Sequence, residues 1–560
     1  MKLLSFFKRT RHAPGTESAL PKSPVKQIDL SSEVMNYLTA GKVIDAWALL
    51  EPCLSTTDQP HLLALAVHTC IVQGNVNEAL RWSKKAQQIA PKDLDVLRSQ
   101  AMLTQYLGQF EAEYKARLDR ILQLGVPPVP ELTAALKALV GWGEIRGKLP
   151  QKDVERLLSL FKVGLPLATT PQINAFTEQL YRLSGYMDQA IHIWQTHNSQ
   201  HQVQQLKWAS ESFLAQHYSS RFTFISDPND SLIRIGHFVD AIVWTGYSNN
   251  PSLQGLGLIV HGYQTTRQRT QTEDPSSQLI MHSAKTCLLQ APASITHVGE
   301  PSLLIGSSSN YYHFLIEHLG RLATMHILGI STGDLLCWIN NELLPFQAEL
   351  LELAGIQQSQ LRKLPPHGYA VHFDALCAPF PPTKGGHQTS ASIANWARKV
   401  LIPRAWNASG RPNNLPPERK RLYLSRNNTV RRRIHNEISE VWPWLSQHGF
   451  EYIEPEKLSV SEQLILFSQA EWIVGGSGAA MTNMIFMPIG SKIVIALNRH
   501  FPTEAQQQFF PPLAQACGHQ ISVISCAPVI INSSRAMDAD INLECNDLVQ
   551  TLSSLGFPEI

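Results

Sequence analysis

A glycine-rich turn after a short apolar segment is the part of the sequence whose residue types point most directly to ligand chemistry. The turn, Gly475-Gly476-Ser477-Gly478-Ala479, follows an apolar run that begins at Ala470, and a helix is predicted to start near Ala479. Glycines let a backbone approach a ligand closely, and the free N–H groups and dipole of a helix start favour an anion. The segment predicts a phosphate site, but it has neither the Gly-Lys-Ser/Thr of a Walker loop nor the GxGxxG dinucleotide spacing.

Two other interpretations of this loop are open on the sequence alone. One is a nucleophile elbow, G-x-S-x-G with alanine in place of its last glycine, in which Ser477 would be a hydrolase nucleophile. Its partners would be Glu504 and either His500 or His519. The other interpretation is a tight strand-to-helix turn that binds nothing.

A run of arginines follows another predicted strand. This strand carries Tyr423 and ends at Arg426, and Arg431-Arg432-Arg433 and Asn436-Glu437 come next. Ligands of open α/β sheets bind at the C-terminal edge of the strands, so these side chains are expected beside a ligand. Guanidinium groups pair bidentately with phosphate oxygens, which suits a diphosphate. A solvated basic loop or a nucleic-acid patch has the same composition, although no aromatic residues are interleaved with the arginines.

The segment from Asn310 to Arg321 brings together a candidate base, acid and cation. On a helix, His313, Glu317 and Arg321 would be spaced i, i+4 and i+8 along one face. Imidazole, or a carboxylate whose pKa is raised by burial, suits the deprotonation of a hydroxyl nucleophile. A solvated stripe of ion pairs on a surface helix has the same spacing.

The elements that would position these groups indicate an α/β architecture. From about Arg221, short β-branched and aromatic runs alternate with helical segments and are separated by Gly, Pro, Asn and Ser. Residues 403–420 have the composition of a linker. We therefore predict an N-terminal lobe over 217–402 and a C-terminal lobe over 403–560, with the ligand site in the cleft between them.

The preceding part of the chain is predicted to be a disordered tail over 1–30 and an all-α domain over 31–216. Gly41, Gly74 and Gly108 are 33 and 34 residues apart, and each begins a similar phrase in which a following alanine would let two helices pack closely. The period resembles tetratricopeptide repeats. Such an array could bind a protein partner or an acceptor chain, or only pack against the next domain.

The composition indicates which kinds of partner and which cellular compartment to expect. The 560 residues are 44% hydrophobic and 16% charged with a formal net charge of +2, which indicates a folded multidomain protein without a global field for nucleic acid. The eight cysteines lack zinc-type spacing and indicate free thiols in a reducing compartment. No apolar stretch could span a membrane, and the N-terminal apolar run is too short for a signal peptide. We expect a cytoplasmic protein, with peripheral attachment to the cytoplasmic face of the membrane as the alternative.

Taken in order, these motifs resemble glycosyltransferase family 61 over roughly half of the chain. The matching phrases are the Asn-Tyr-Tyr-His-Phe-x-x-Glu block at Asn310, the Tyr-x-Ser-Arg strand ending at Arg426, the Arg-Arg-x-x-x-Asn-Glu phrase from Arg432 to Glu437, the Gly-Phe-Glu strand at Gly449, Ser461-Glu462-Gln463, and the glycine loop with Ala479, Asn483, Phe486, Met487 and Gly490. Two positions depart from the pattern, because Ser477 stands where the family commonly has His and Gly320 where it commonly has Pro.

The resemblance implies an inverting, metal-independent GT-B enzyme of two lobes, a hexosyl- or pentosyltransferase that uses a nucleotide-diphosphate sugar as co-substrate and no cofactor. A leaving diphosphate must then be stabilised by arginines and helix N-termini. The residues expected to bind the donor are Arg426 and Arg432 at the diphosphate, Ser477, Gly478 and Ala479 in the loop, Asn483 as support for the loop or nucleotide, and Glu437 on an arginine or the ribose.

The resemblance also implies an acceptor side on the N-terminal lobe. His313 or Glu317 would deprotonate the acceptor hydroxyl, and Asn310, Tyr312 and Arg321 would support the acceptor or the fold. The acceptor would be a glycan, a lipid-linked glycan or a protein in a capsule or other polysaccharide pathway, and no nucleic-acid partner is expected. A non-catalytic helical-repeat scaffold and a serine hydrolase using Ser477 are the alternatives.

Overall fold

The computed structural model describes most of the chain and divides it into two compact units. It describes residues 30–124 except 41 and 108, isolated positions between 131 and 181, residues 186–197, residues 202–260 except 246–251, and residues 279–558 except 283–285, 341, 367, 385–387, 411–418, 430, 500–508 and 530–538. One unit comprises Met1–Trp142 and Pro528–Met537, and the other comprises Gly143–Ala527 and Asp538–Ile560. Apart from residue 30, the predicted N-terminal tail lies outside the described residues.

The described part of the first unit is helical, as predicted. Its helices are α1 Leu30–Thr39, α2 Val43–Leu54, α3 Pro60–Gln73, α4 Val76–Ile89, α5 Leu94–Tyr106 and α6 Phe110–Leu124. Neighbouring helices pack in pairs, with α3 against α4 and α5 against α6. The hairpins follow the repeat seen in the sequence.

One glycine of the repeat shows why the phrase recurs. Gly74 has a φ of 81° and ends α3 in the left-handed conformation, where the missing Cβ avoids a steric penalty. Ala46 and Ala79 are completely buried, which confirms the predicted close packing after the glycine. Gly41 and Gly108 lie outside the described residues.

The second unit contains two β-sheets. The larger has 12 strands in the order β11-β10-β9-β12-β3-β4-β5-β1-β7-β6, with β2 paired to β3 and β8 paired to β12. Its strands are β1 Val203–Ala209, β2 Phe222–Asp227, β3 Asp230–Trp244, β4 Ser252–Gly255, β5 Leu258–Val260, β6 Leu279–His282, β7 Thr286–Gln290, β8 Ile295–Val298, β9 Ser302–Leu304, β10 Leu336–Ile339, β11 Leu361–Lys363 and β12 Ala370–Pro379. The short strands β13 Thr383–Lys384 and β14 Gln388–Thr389 pair with each other.

The predicted helical stretch over 31–216 extends too far. Helix α7 spans Met187–His197, but β1 follows at Val203–Ala209 and pairs with β5 and β7 of the large sheet. Its apolar residues Val203, Leu206 and Ala209 are three positions apart, a spacing that fits a helix as well as a strand, and only the pairing decides between them.

The smaller sheet has six strands in the order β16-β15-β17-β18-β19-β20. These are β15 Lys420–Leu424, β16 Phe450–Ile453, β17 Ala470–Gly476, β18 Lys492–Asn498, β19 Gln520–Pro528 and β20 Ile541–Asn542. Every described pairing from β15 to β19 is parallel. The central strands β17 and β18 are almost entirely buried, as expected for parallel strands covered on both faces.

Helices connect and cover these strands, and three of them run through π-helical turns. The α-helices are α8 Glu211–His217, α9 Tyr311–His313, α10 Leu319–Ile327, α11 Pro345–Leu353, α12 Ala391–Trp396, α13 Ile402–Ala408, α14 Trp442–Gln447, α15 Val460–Ser468, α16 Phe510–Cys517 and α17 Cys545–Ser554. The π-helical turns are Phe314–His318, Ala397–Leu401 and Glu437–Val441, and 3₁₀-helices span Gln358–Gln360, Pro455–Lys457 and Ala479–Phe486.

One apolar core is shared by elements from both predicted lobes. It includes Leu303 and Phe314 beside the large sheet and Leu422 and Ile473 of the small sheet. The predicted linker over 403–420 begins inside helix α13, where Ala405 is buried in this core. The α/β architecture is therefore confirmed, while the two-lobed GT-B arrangement stays a prediction.

Candidate active site

The candidate site lies where the strand order of the small sheet reverses. Along the chain the strands are laid down as β15, then β16 on one side of it and β17 on the other, followed by β18 and β19. In doubly wound sheets a crevice opens between the two strands at such a switch point, beyond their carboxyl ends. Leu424 at the end of β15 is paired with Gly475 near the end of β17. The loops that begin at Ser425 and Ser477 therefore leave the same edge side by side.

The arginine and the glycine loop predicted to bind phosphate are in direct contact at this edge. A Cβ added to Gly478 would lie 1.6 Å from Nη1 of Arg426, so the guanidinium occupies the space that a side chain there would fill. Arg426 also donates from Nε to the Arg432 carbonyl at 3.3 Å and from Nη2 to the Arg431 carbonyl at 3.4 Å. Burial, and then the neighbouring charges of Arg432 and Arg431, lower the pKa of Arg426 to about 10. The guanidinium thus stays protonated at neutral pH.

The backbone of the loop presents N–H groups beside this guanidinium. Ser477 N–H is used within the sheet, because it donates to the Ala496 carbonyl at 2.9 Å. In the described part of the chain, no backbone hydrogen bond engages the N–H of Gly478 or Ala479. Gly478 caps the 3₁₀-helix Ala479–Phe486, whose first N–H groups have no intrahelical acceptor. An anion placed here would meet these donors and Arg426.

The three consecutive arginines differ in their surroundings. Arg433 is committed to the fold, since its backbone N–H donates to Asp540 Oδ1 at 2.9 Å and its guanidinium pairs with Asp540 Oδ2 at 2.7 and 2.9 Å. Arg431 is exposed, and Arg432 is half-buried with a φ of 57°. The left-handed backbone at Arg432 turns its carbonyl toward Arg426 Nε. The predicted cluster of four arginines is therefore reduced to Arg426, with Arg431 and Arg432 at its side.

Glu437 is held by hydroxyl groups. This buried carboxylate accepts a hydrogen bond from Ser425 Oγ at 2.5 Å and another from the Tyr452 hydroxyl, and the Tyr452 oxygen also lies 2.6 Å from Ser425 Oγ. Burial, and then the Glu437 carboxylate, raise the pKa of Tyr452 to about 12, which keeps it a donor. The described hydrogen bonds of Glu437 do not reach an arginine. Its visible role is to fix the strand end that carries Arg426.

His313 and Glu317 meet as the spacing predicts. Their Nδ1 and Oε1 atoms are 3.1 Å apart, and the side chains are 27% and 4% exposed. Glu317 lies in the π-helical turn Phe314–His318, a kind of insertion that is frequent at functional sites. A solvated surface stripe is excluded for Glu317 because the carboxylate is buried. The two atoms are at ion-pair distance without forming a hydrogen bond, so the pair combines a candidate base with a buried acid beside it.

The other predicted residues of this segment support it. Asn310 caps α9 by accepting hydrogen bonds from the N–H groups of Tyr312 and His313 at 2.9 and 3.3 Å. Tyr312 is buried edge-to-face against Phe509 and Phe510, and burial raises its pKa. Both roles are structural and fix the direction of His313.

Arg321 is completely buried and donates from Nη1 to the Ile305 carbonyl at 2.7 Å. His318 Nδ1 lies 3.0 Å from the same oxygen, and a Cβ at Gly306 would come within 2.8 Å of His318. Burial, followed by the charge of Arg321, lowers the pKa of His318 to about 3. Arg321 therefore does not continue the exposed edge of His313, and it anchors the helix to the end of β9.

A buried hydrogen bond joins the histidine segment to the glycine loop. The Tyr311 hydroxyl donates to Asn483 Oδ1 at 2.7 Å, and Asn483 Nδ2 donates to Gln463 Oε1 at 3.0 Å. Asn483 is fully buried in the 3₁₀-helix that begins at Ala479. The segments carrying His313 and Gly478, more than 160 residues apart in sequence, are thus held together by this contact.

The nucleophile-elbow interpretation has no support in the described residues. His519 Nε2 lies 2.8 Å from the Met484 carbonyl and 3.3 Å from Arg398 Nη2, and none of its described hydrogen bonds reaches Ser477. Burial lowers the pKa of His519 to about 4. His500 and Glu504 lie outside the described residues.

Residues 311–494, about a third of the chain, match the family model described as Glycosyltransferase 61. This confirms the resemblance to glycosyltransferase family 61. The matched segment contains every candidate site residue except Asn310, and the family implies sugar transfer from a nucleotide sugar to a glycan acceptor.

No match is found among curated proteins. Among solved structures, the chain is similar to those described as "MamA AMB-1 P212121" and "MamA MSR-1 C2", each 13% identical over 31% of this chain and 97% of theirs, with a TM-score of 0.25.

Several residues of the candidate site have no role assigned from the sequence. Tyr311, Ser425 and Tyr452 act through hydrogen bonds to distant residues, and Phe509 lies beside His313 with ring centroids 6.3 Å apart. Of these residues, Ser425 had a signal in the sequence, because it is a hydroxyl residue directly after strand β15. Among the described residues, no helix is long and apolar enough to cross a membrane.

Proposed function

We propose that the second unit transfers a sugar, with inversion and without a metal, from a nucleotide-diphosphate sugar to a hydroxyl of a glycan, lipid-linked glycan or protein. The observation that carries this proposal is the contact of Arg426 with Gly478 at the switch point of the small sheet. A cation and two backbone N–H groups that no described backbone hydrogen bond engages are neighbours there. This is the combination that stabilises a leaving diphosphate when no metal does so.

The donor would lie beyond the carboxyl ends of β15 and β17 in a GT-B arrangement. Arg426 and Arg432 would hold the diphosphate, and Gly478 and Ala479 would donate backbone hydrogen bonds to it. Asn483 would hold the loop in place. Glu437 would act through Ser425 and Tyr452 on the strand end, a positioning role rather than a contact with ribose.

The acceptor base is His313 in this proposal, and Glu317 is its positioning residue. A base must reach its substrate, and His313 is partly exposed while Glu317 is buried behind it. A buried carboxylate at Nδ1 leaves Nε2 free to accept the hydroxyl proton and stabilises the imidazolium that forms. The hydroxyl oxygen then attacks the anomeric carbon as the bond to the diphosphate breaks, which inverts the configuration.

A thermal-shift panel of donors tests the diphosphate site. The full-length protein is titrated with UDP-, GDP-, dTDP- and CMP-sugars, of which the CMP-sugar carries one phosphate only. We expect one of the diphosphate sugars to raise Tm, and Arg426→Ala to weaken that binding by about ten-fold or more, as for a lost charged hydrogen bond.

Arg419→Ala is the matched control, because Arg419 precedes the same strand at its opposite end and is 83% exposed. It should leave donor binding unchanged. Stabilisation by no diphosphate sugar, or equal donor binding by the Arg426→Ala and parent proteins, would overturn the assignment.

A further inference from the structure

Two histidines and an aspartate meet on the large sheet, on strands that carry none of the candidate site residues. His372 and Asp374 are two residues apart on β12, so their side chains lie on the same face of the sheet. The edge strand β8 runs parallel to β12, with His297 directly opposite His372. Strand register alone thus places three metal-ligating side chains next to each other.

The three side chains also approach each other closely enough for their ligand atoms to surround one ion. One ligand atom from each of His297, His372 and Asp374 lies within 4.8 Å of the other two. His297 Nε2 is 2.7 Å from Asp374 Oδ1, and the two imidazole rings have centroids 5.2 Å apart. Asp374 and His297 are 54% and 60% exposed, so both can adjust by the roughly 1 Å needed to close around an ion with bonds of about 2.0–2.2 Å.

A second carboxylate orients His372 from the neighbouring strand. Asp240 on β3 has a φ of 63°, and its Oδ1 accepts a hydrogen bond from His372 Nε2. Its other oxygen pairs with Arg221 Nη1 at 2.7 Å. A carboxylate behind an imidazole is the common outer partner of a metal-bound histidine. Arg221 neutralises Asp240, so Asp374 supplies the net negative charge that faces an ion.

We propose that His297, His372 and Asp374 bind a divalent transition-metal ion of the zinc type. Neutral imidazoles with one carboxylate select zinc and its neighbours over magnesium or calcium, which prefer all-oxygen sites. Three protein ligands leave a fourth position for water. The ion would fasten the four-residue edge strand β8 to β12. It takes no part in the sugar transfer proposed above.

Isothermal titration of the EDTA-treated, full-length protein with ZnCl₂ tests the site. The parent protein should bind one Zn²⁺ per chain through this cluster, and Zn²⁺ should raise its Tm. His297→Ala and Asp374→Asn should each weaken this binding by about ten-fold or more, because loss of even an outer partner of a metal ligand costs roughly 10–100-fold. Both residues are exposed, so the variants should keep the metal-free Tm of the parent.

His217→Ala is the control for adventitious binding, because His217 is exposed on helix α8 away from this cluster in sequence. It should bind Zn²⁺ as the parent does. Absence of Zn²⁺ binding by the parent would overturn the proposal, and so would binding that survives undiminished in His297→Ala. If one variant lost its fold, the other would decide the outcome alone.

Discussion

At position 478 any side chain would compete with Arg426 for the same space. The Cβ of Gly478→Ala would collide with the end of the guanidinium, a flexible group that can move aside. We expect a Tm close to that of the parent but donor binding weakened by about ten-fold or more, since the displaced charge no longer faces the loop. Gly333→Ala is the control, because its Cβ would meet nothing closer than Ser331 Oγ at 3.6 Å. Unchanged donor affinity in Gly478→Ala would contradict the assigned geometry.

The buried acid of the histidine pair offers a second residue-level test. Glu317→Gln keeps the size of the side chain but removes the charge that orients His313 and stabilises its protonated form. We expect release of nucleoside diphosphate from the stabilising donor to slow by about 10²–10⁴-fold, with donor affinity preserved. Glu342→Gln, at a position 85% exposed, should be neutral. Turnover within a few-fold of the parent in Glu317→Gln would exclude the positioning role.

At the level of elements, the direction of His313 depends on how helix α9 begins. Asn310→Ala removes the side-chain cap that holds the N–H groups of Tyr312 and His313, at an expected cost of about 0.5–2 kcal/mol in unfolding free energy. Turnover should fall as well, because the base loses its fixed direction. Asn75→Ala removes the equivalent cap of α4 in the other unit and should lower stability without slowing turnover. Equal turnover in the two variants would show that the cap at Asn310 has no part in the site.

The sequence predicted the elements of the small sheet well, because the signals there are local. Apolar runs ending in polar or glycine residues marked β15 and β17, and the order of the motifs matched a known family. The contact of His313 with Glu317 followed from helical spacing. What spacing could not show is the π-helical turn that follows His313, since an extra residue per turn leaves no mark in an apolar pattern.

Long-range partners account for the remaining differences. Arg433 has the same residue type as Arg426, but Asp540, more than 100 positions away, pairs with it. The local pattern of β1 predicts helix, because its partners β5 and β7 come later in the chain. The His297, His372 and Asp374 cluster depends on one parallel register. In each case the interaction that determines the structure joins residues too far apart in sequence for a short stretch of sequence to show it.

At the scale of the whole molecule, buried histidines contribute to the response to acid. Burial lowers the pKa of His68 and His519 to about 4 and that of His318 to about 3, below the ordinary value of 6.5. The unfolded chain therefore takes up protons first, and stability present above pH 6.5 is lost as the pH falls toward 4. Thermal unfolding measured from pH 8 to 4 should show this decline of Tm.

Histidine variants distinguish the contribution of the histidines to the pH dependence of Tm from that of carboxylates that titrate in the same pH range. His519→Gln can still donate to the Met484 carbonyl but cannot be protonated, so its Tm should fall less steeply between pH 6.5 and 4 than that of the parent. His217→Gln, at an exposed position, should leave the slope unchanged. A parallel decline in the parent and His519→Gln would rule out this histidine as a source of acid sensitivity.

The hydrogen bond from Tyr311 to Asn483 makes the two ends of the site thermodynamically dependent on each other. Tyr311 lies two residues before the proposed base His313, and Asn483 lies in the 3₁₀-helix that begins after the proposed phosphate loop, so a shift of that loop on donor binding would change the environment of His313. Linkage is reciprocal, so the factor by which donor raises acceptor affinity equals the factor by which acceptor raises donor affinity. We therefore predict that the proposed donor and acceptor bind cooperatively through this hydroxyl–amide contact.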